Sequence, residues 1–323
     1  MTKAVFLDEH GGPDAFALRD QTLADPGPGE IRVRHKAVGL NFIDIYQRKG
    51  LYPVSLPAVL GQEAAGVVEA VGEGVSDFAP GERVACLYGV GGYAEEGNAP
   101  AALSAKIPDG VSDDAAAALF LKGLTAEMLV RQLYPLKAGK TCLVHAAAGG
   151  VGTILCQWAK HIGARVIAVV GSPEKEAIAR ENGADEVVIR TQTESIAAEV
   201  RRLTGGEGVE VVYDSIGEAT FEASLDSLAL RGHMVTYGNA SGPPPAVTPL
   251  ELMRRGSLTL TRPSLFHYAT PERLPAMAAA LFEMVASGAV KPKIAHRLAL
   301  SDIADAHRLL ESGKTAGAII LTP

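Results

Sequence analysis

Residues 141–159 read TCLVHAAAGGVGTILCQWA. The first five have the apolar, branched character of a buried strand, and from Gly150 onward the apolar residues recur with helical spacing. Between the two, Ala147, Gly149 and Gly152 fill the three places of a G-x-G-x-x-G turn, with alanine in the first. A middle glycine lets backbone approach a pyrophosphate, and the last lets the helix pack close to the strand. The helix N-terminus adds N–H donors and partial positive charge. Ala148, Gly149, Gly150, Val151 and Gly152 are therefore expected to hold the phosphates of a dinucleotide. The segment contains no Asp, Glu, Lys or Arg and nearly matches a membrane span in length. His145, Gln157 and its glycines interrupt the apolar run, so a strand, turn and helix are expected instead of a spanning helix.

Downstream of this turn, apolar strands alternate with helical stretches. Strands are expected at Thr141–His145, Arg165–Val170, Glu186–Ile189, Val209–Asp214, Gly232–Gly238 and Ser257–Thr261. Six strands separated by helices are the count of a doubly wound parallel sheet. Upstream, short strand-like runs such as IRVRHKAVGL, AAGVVEAV and ERVACLYG are punctuated by DPGPGE and FAPGE, so this part reads as mostly β. After Pro263 come a helix-like LPAMAAALFEMVASG and then a strand, a helix and a last strand. That tail is too short to fold alone and is expected to return to the first domain. The fold class is α/β: a mostly-β catalytic domain from residues 1–122 and 264–323, and a Rossmann cofactor domain from 123–263.

The chain's 323 residues exceed one ordinary core, and 47% apolar residues with only 5% aromatic suit buried parallel sheet built from Val, Ile, Leu and Ala. A net charge of -7 repels nucleic acid and anionic lipid, so neither a nucleic acid nor a membrane is expected as partner. Cys86, Cys142 and Cys156 are odd in number and widely spaced, which offers no disulfide framework and no structural zinc site. A reducing, cytoplasmic location is expected. The N-terminus reaches Asp8 and Glu9 before any long apolar run and reads as a first strand instead of a signal peptide.

The end of the second strand selects the dinucleotide. A site for NAD normally carries Asp or Glu there for the ribose 2'-hydroxyl. This chain has Gly171 and Ser172 in that place, Lys175 one turn later and Arg190 after the third strand. Hydroxyl, ammonium and guanidinium suit a 2'-phosphate that a carboxylate would repel, so NADPH is the expected cofactor. Lys175 and Arg190 also fit as ordinary solvated charges, and the residues alone leave that reading open.

Seven runs then carry a resemblance: NFIDIYQRKGLYP, LPAVLGQEAAGVVEAVGEGV, FLKGLTA, HAAAGGVG, YDSIG, YGNASG and TRPSL. In this order, over almost the whole chain, they resemble the zinc-independent quinone oxidoreductases, the zeta-crystallin-like branch of the medium-chain dehydrogenase/reductase superfamily. The resemblance implies a GroES-like first domain. Where zinc alcohol dehydrogenases of that superfamily carry their three metal ligands, this chain has Asn41, Gln62 and Leu121. These are poor ligands or none, so no metal site is expected and alcohol oxidation loses its Lewis acid. The implied activity is NADPH-dependent quinone reduction without zinc or flavin, by direct hydride transfer in a cleft between the domains. Such an acceptor delocalises the arriving charge itself. Reduction of an activated alkene, as an enone or enoyl thioester, is the alternative on the same scaffold. An NADPH-regulated RNA-binding role, associated with relatives, is disfavoured by the net charge.

Carried over position by position, the resemblance puts Asn41, Asp44, Tyr46 and Tyr52 at the acceptor and Thr125 near the nicotinamide. Asn239 with Ser264, Leu265 and Phe266 would lie beyond it, Ser215 at the cofactor edge and Lys314 at the phosphate end. The chain departs from the family pattern at Arg190 and Gly313, where a relative has Tyr and Arg. Asn41 and Asp44 also read as turn or cap residues, and Tyr46 and Tyr52 as half-buried loop residues. Glu63 reads as a brace for its loop, and His145 as a structural hydrogen-bonding group. The β-branched strand Ser257–Thr261, at a sheet edge, is expected to pair with its twin in a homodimer.

Overall fold

A computed structural model describes residues 1–323, which divide into two compact units. Met1–Leu124, Ala269–Ser287 and Pro292–Pro323 form the first, and Thr125–Tyr268 with Gly288–Lys291 form the second.

The first unit begins with strands β1 (Thr2–Leu7), β2 (Phe16–Gln21) and β3 (Glu30–Leu40), then helix α1 (Phe42–Arg48). Strands β4 (Ala58–Val59), β5 (Glu63–Val71), β6 (Arg83–Leu87), β7 (Glu96–Pro100) and β8 (Ser104–Lys106) precede helix α2 (Asp113–Glu127), which runs into the second unit.

Within the second unit, strands β9 (Thr141–His145), β10 (Arg165–Val170), β11 (Glu186–Ile189), β12 (Val209–Asp214), β13 (Leu228–Thr236) and β14 (Thr259–Thr261) alternate with helices. The helices are α3 (Gly150–Ile162), α4 (Glu176–Glu181), α5 (Ile196–Leu203), α6 (Phe221–Asp226) and α7 (Pro249–Arg254). Helix α8 (Leu274–Ala286), strand β15 (Ile294–Ala299), helix α9 (Ile303–Glu311) and strand β16 (Ala318–Thr322) complete the chain in the first unit.

The C-terminal tail enters the first unit by sheet pairing. Strand β16 lies antiparallel to β3, with Ile319 opposite Leu40 and Leu321 opposite Val38, in the sheet β15-β16-β3-β5-β6-β8. Strand β7 also pairs with β3, while β2-β1-β4 form a separate three-stranded sheet. One core gathers Val5, Leu7, Val38, Leu40, Leu60, Ile303, Ile319 and Leu321, so both ends of the chain bury side chains in the same place. Each such aliphatic side chain contributes about 1.5–3 kcal/mol on leaving water, which is why a tail without a core of its own is held.

The sheet of the second unit has the order β11-β10-β9-β12-β13-β14, all parallel. Burial on both faces explains the unbroken apolar run VIAVV in β10. The order reverses between β9 and β12, and the carboxyl ends there are where an open sheet of this kind holds its ligand. Strand β13 starts at Leu228, earlier than the expected Gly232, because Leu228 already pairs with Val209 of β12 ahead of a bend at Arg231, whose φ is 61°. Strand β14 is shorter than expected because Ser257 adopts a left-handed φ of 55°. The uncharged stretch 141–159 is a strand followed by a helix, and no helix is long and apolar enough to cross a membrane.

Candidate active site

Strand β9 ends at His145, and the chain turns through Ala146 at φ 49° to Gly149, the extended N-cap of α3. No side chain caps this helix, so its first-turn N–H groups carry the partial positive charge suited to an anion. A Cβ on Gly152 would overlap the Ala146 carbonyl oxygen and lie 2.8 Å from the Ala147 Cα, so only glycine lets α3 start this close to β9. Ala148 is buried, and Gly149, Gly150 and Val151 are half-buried. Such a cradle fits a dinucleotide pyrophosphate.

The neighbouring strand ends are brought together by register. Val170 of β10 lies opposite Ile189 of β11, so Gly171 and Arg190 leave the sheet side by side. A Cβ on Gly171 would meet nothing within 4 Å, and Arg190 is exposed. Lys175 sits in the turn that follows, its ammonium pulled below the ordinary lysine value by burial. The Ser172 hydroxyl is engaged by Glu174, whose carboxyl that bond holds below the usual range. A phosphate at Ser172 would have to displace that acid.

At the switch point, Asp214 accepts from Ile216 N–H at 2.7 Å, the Thr220 hydroxyl at 2.7 Å and the Ser224 hydroxyl at 2.6 Å. His145 Nε2 meets Ser224 Oγ at 2.9 Å in the same buried cluster, a structural arrangement. Ser215 follows, and its carbonyl accepts from Ala240 N–H at 3.2 Å, which ties it to the turn carrying Asn239. Arg262 donates to the Thr236 carbonyl at 2.8 Å and the Gly238 carbonyl at 3.1 Å, fixing the segment that leads to half-buried Ser264, Leu265 and Phe266. Thr125, on α2, is buried. Lys314 is exposed and belongs to the first unit, whereas the other cofactor-binding candidates belong to the second.

In the first unit Asn41 caps α1, and Asp44 Oδ2 accepts its N–H at 2.8 Å. Both are buried, as is Tyr46, whose ring centroid lies 5.2 Å from that of half-buried Tyr52 in an edge contact. Glu63, wholly buried, is the hub that binds this loop to α2. It accepts from Asn41 Nδ2 at 2.9 Å, Leu121 N–H at 2.6 Å and Lys122 Nζ at 2.7 Å. A Cβ on Gly39 would lie 2.5 Å from the Ala117 carbonyl and overlap the Glu63 carboxylate, so glycine there makes room for the ion pair. Gln62 donates to Gln47 Oε1 at 3.0 Å and to the Gly89 carbonyl. The three positions matching the metal ligands of zinc enzymes are thus tied into side-chain and backbone hydrogen bonds. No group of three or more His, Cys, Asp or Glu side chains comes together to hold a metal.

Asp44 continues into a second buried group. Its Oδ2 accepts the Tyr93 hydroxyl at 2.7 Å, Tyr93 Oη meets His307 Nε2 at 3.2 Å, and Arg48 donates to His307 Nδ1 at 2.9 Å and to Glu311 at 2.8 Å. Burial pushes the Asp44 carboxyl up to about 7, against the lowering by Tyr93, Asn41 and Lys122. Burial and the Arg48 charge bring His307 down to about 3. Sequence reasoning did not single out Lys122, Arg48, Tyr93 or His307. Only His307 left a signal, by falling with Ile303, Ala306 and Leu310 on the inward spacing of α9.

A GroES-like β domain joined to a dinucleotide-binding sheet in this strand order defines the medium-chain dehydrogenase/reductase architecture. The alcohol dehydrogenase GroES-like domain family matches residues 27–109, and the zinc-binding dehydrogenase family matches residues 150–284. A quinone oxidoreductase of Pseudomonas aeruginosa is 47% identical over the full length of both chains. A 2-haloacrylate reductase of a Burkholderia species is 42% identical over 100% of this chain and 99% of its own. The crystal structure of an Escherichia coli quinone oxidoreductase complexed with NADPH, 44% identical, superposes with a TM-score of 0.96 over 99% of this chain and 100% of that one. The chain belongs to the zinc-independent quinone oxidoreductases of that superfamily.

Proposed function

We propose that the protein is an NADPH-dependent quinone reductase. The observation that carries this reading is the uncapped start of α3, set beside the ends of β10 and β11, which offer Gly171 and Arg190 where an acid would select NAD. The NADPH bound to the Escherichia coli relative supports it. Ala148, Gly149, Gly150, Val151 and Gly152 hold the pyrophosphate. Gly171, Ser172, Lys175, Arg190 and Lys314 receive the 2'-phosphate end. Thr125, Ser215, Asn239, Ser264, Leu265 and Phe266 hold the nicotinamide end. Bound NADPH supplies the hydride. Asn41, Asp44, Tyr46 and Tyr52 position the acceptor, the rings by stacking on a flat quinone and the polar groups by hydrogen bonding its oxygens. Stopped-flow mixing of the NADPH complex with small quinones tests the reading. Rapid loss of the nicotinamide absorbance is expected, and absence of turnover with every quinone despite NADPH binding would overturn it.

The 2-haloacrylate reductase relative favours one second reading, reduction of an alkene conjugated to a carbonyl or carboxyl. A panel of quinones against activated alkenes separates the two by kcat/KM. A homodimer formed through β14 is proposed from its place at the edge of the six-stranded sheet. Light scattering that finds only monomer would exclude it. Three free, buried cysteines support a reducing, cytoplasmic location, and the net charge of -7 predicts no gel shift with RNA.

A further inference from the structure

We propose that Arg262 is a positioning residue for the nicotinamide half of the cofactor: its guanidinium replaces the backbone donors that β14 lacks beyond Thr261 and so fixes the turn that follows β13. This role rests on the quinone reductase reading, which gives that turn to the nicotinamide.

The need for such a group arises where the sheet ends. Strands β13 and β14 pair in parallel through His233 with Thr259, Met234 with Leu260 and Val235 with Thr261, and there the ladder stops. Pro263 has no N–H with which to continue it. The chain leaving β13 runs on through Thr236 and Gly238 into the turn that carries Asn239. On the β12 side this continuation is tied to the neighbouring strand exit. Tyr237 N–H donates to the Asp214 carbonyl at 2.7 Å, Ala240 N–H to that of Ser215 at 3.2 Å and Ser241 N–H to that of Ile216 at 2.8 Å. On the β14 side the strand has ended, and one terminal nitrogen of Arg262 donates to the Thr236 carbonyl at 2.8 Å and to the Gly238 carbonyl at 3.1 Å. That nitrogen carries two hydrogens, one for each carbonyl.

The side chains of the continuation do not supply this hold. Thr236 Oγ1 is buried and makes no hydrogen bond, and Gly238 has no side chain. A Cβ on Gly238 would overlap the Ser215 carbonyl, so glycine lets the turn sit directly on the exit of β12. Arg262 thus stands between the exits of β12 and β13, which lead to Ser215 and Asn239, and its own chain, which leads to Ser264, Leu265 and Phe266. Gly171 and Arg190, the candidates for the 2'-phosphate, follow β10 and β11 on the opposite side of the sheet order. Loss of Arg262 therefore acts on one half of the cofactor and spares the other. Because Arg262 is exposed, its replacement opens no hole in a core.

The test compares NADPH with 2',5'-ADP, which keeps the adenosine and its 2'-phosphate but has no nicotinamide. Both are titrated calorimetrically into the parent, Arg262→Met and Arg262→Lys, with far-UV circular dichroism as a check on folding. Arg262→Met should weaken NADPH about tenfold and leave 2',5'-ADP within about twofold. Arg262→Lys keeps a terminal nitrogen with hydrogens for both carbonyls and should recover most of the NADPH affinity. In single-turnover reduction of a small quinone at saturating NADPH, hydride transfer should slow in Arg262→Met and recover in Arg262→Lys, because the nicotinamide is held less squarely in the first. The proposal fails if Arg262→Met binds NADPH like the parent, if it weakens both ligands equally, or if Arg262→Lys is no better than Arg262→Met. Selective loss of NADPH without quinone turnover in any of the three proteins would uphold the role of Arg262 and overturn the quinone reductase reading instead. A parent that binds neither ligand would overturn both.

Discussion

Gly152 packs directly on the backbone of Ala147, whose Cα would stand 2.8 Å from a methyl group added at residue 152. Backbone on both sides of this contact belongs to the turn that leaves β9 and to the start of α3, so neither can step aside as a flexible side chain would. Gly152→Ala is expected to displace α3 from β9, lowering stability by about 1–3 kcal/mol and weakening NADPH binding at least tenfold. Gly171→Ala, in open space, should change stability by less than about 0.5 kcal/mol. Urea unfolding and NADPH fluorescence titration measure both.

Lys122 and Glu63 form an ion pair whose side chains are 6% and 0% exposed. Removing one partner leaves the other buried and uncompensated. Lys122→Met is expected to cost about 3–5 kcal/mol, and the double variant with Glu63→Gln should recover part of the loss. Because Glu63 also binds Asn41 and the Leu121 N–H, acceptor KM should rise in Glu63→Gln before NADPH affinity changes. Equilibrium unfolding of the four proteins gives the coupling energy.

Two buried histidines set an acid limit on stability. Burial brings His35 down to about 4, and burial with the Arg48 charge brings His307 to about 3, against about 6.5 in an unfolded chain. The unfolded chain therefore binds protons below pH 6.5 that the folded chain refuses. The stability they leave intact is complete above that value and is lost as pH falls, by about 2 kcal/mol for each at pH 5. Asp44 has the opposite sign. Its folded value near 7 lies above the unfolded one, so its contribution is complete in acid and is lost as pH rises towards 7. Thermal melts at pH 5 and pH 8 should show His307→Gln losing less than the parent at pH 5, and Asp44→Asn gaining most at pH 8.

Arg190 leaves the sheet beside Gly171, where a ribose 2'-substituent would be read. Arg190→Ala is expected to weaken NADPH by about tenfold or more while leaving NADH affinity within twofold, since a charge-assisted hydrogen bond contributes about 1.5–3 kcal/mol. Isothermal titration with both cofactors decides it, and equal losses for the two would show that Arg190 supports the loop instead.

Four strands of the second unit, β9 to β12, coincide with the segments expected from apolar runs and turn residues, because each run lies between clear helix and loop signals. Strands β13 and β14 deviate where Arg231 and Ser257 take left-handed conformations, which neither residue type announces. The glycine turn was legible because its conformation and close packing demand residues without a side chain. By contrast, the Asp44 cluster joins residues as far apart as Arg48 and His307, 259 positions distant in sequence. Its members are ordinary residue types with no shared spacing. Local sequence thus determined the glycine cradle, the acid-free β10 end and the substituted metal-ligand positions, since each depends on which side chain stands at a given place. Only tertiary structure decided that Glu63 of β5 pairs with Lys122 of α2 and that burial pushes the Asp44 carboxyl up, because these elements, and α9 with His307 beside Arg48 of α1, meet only in the folded chain.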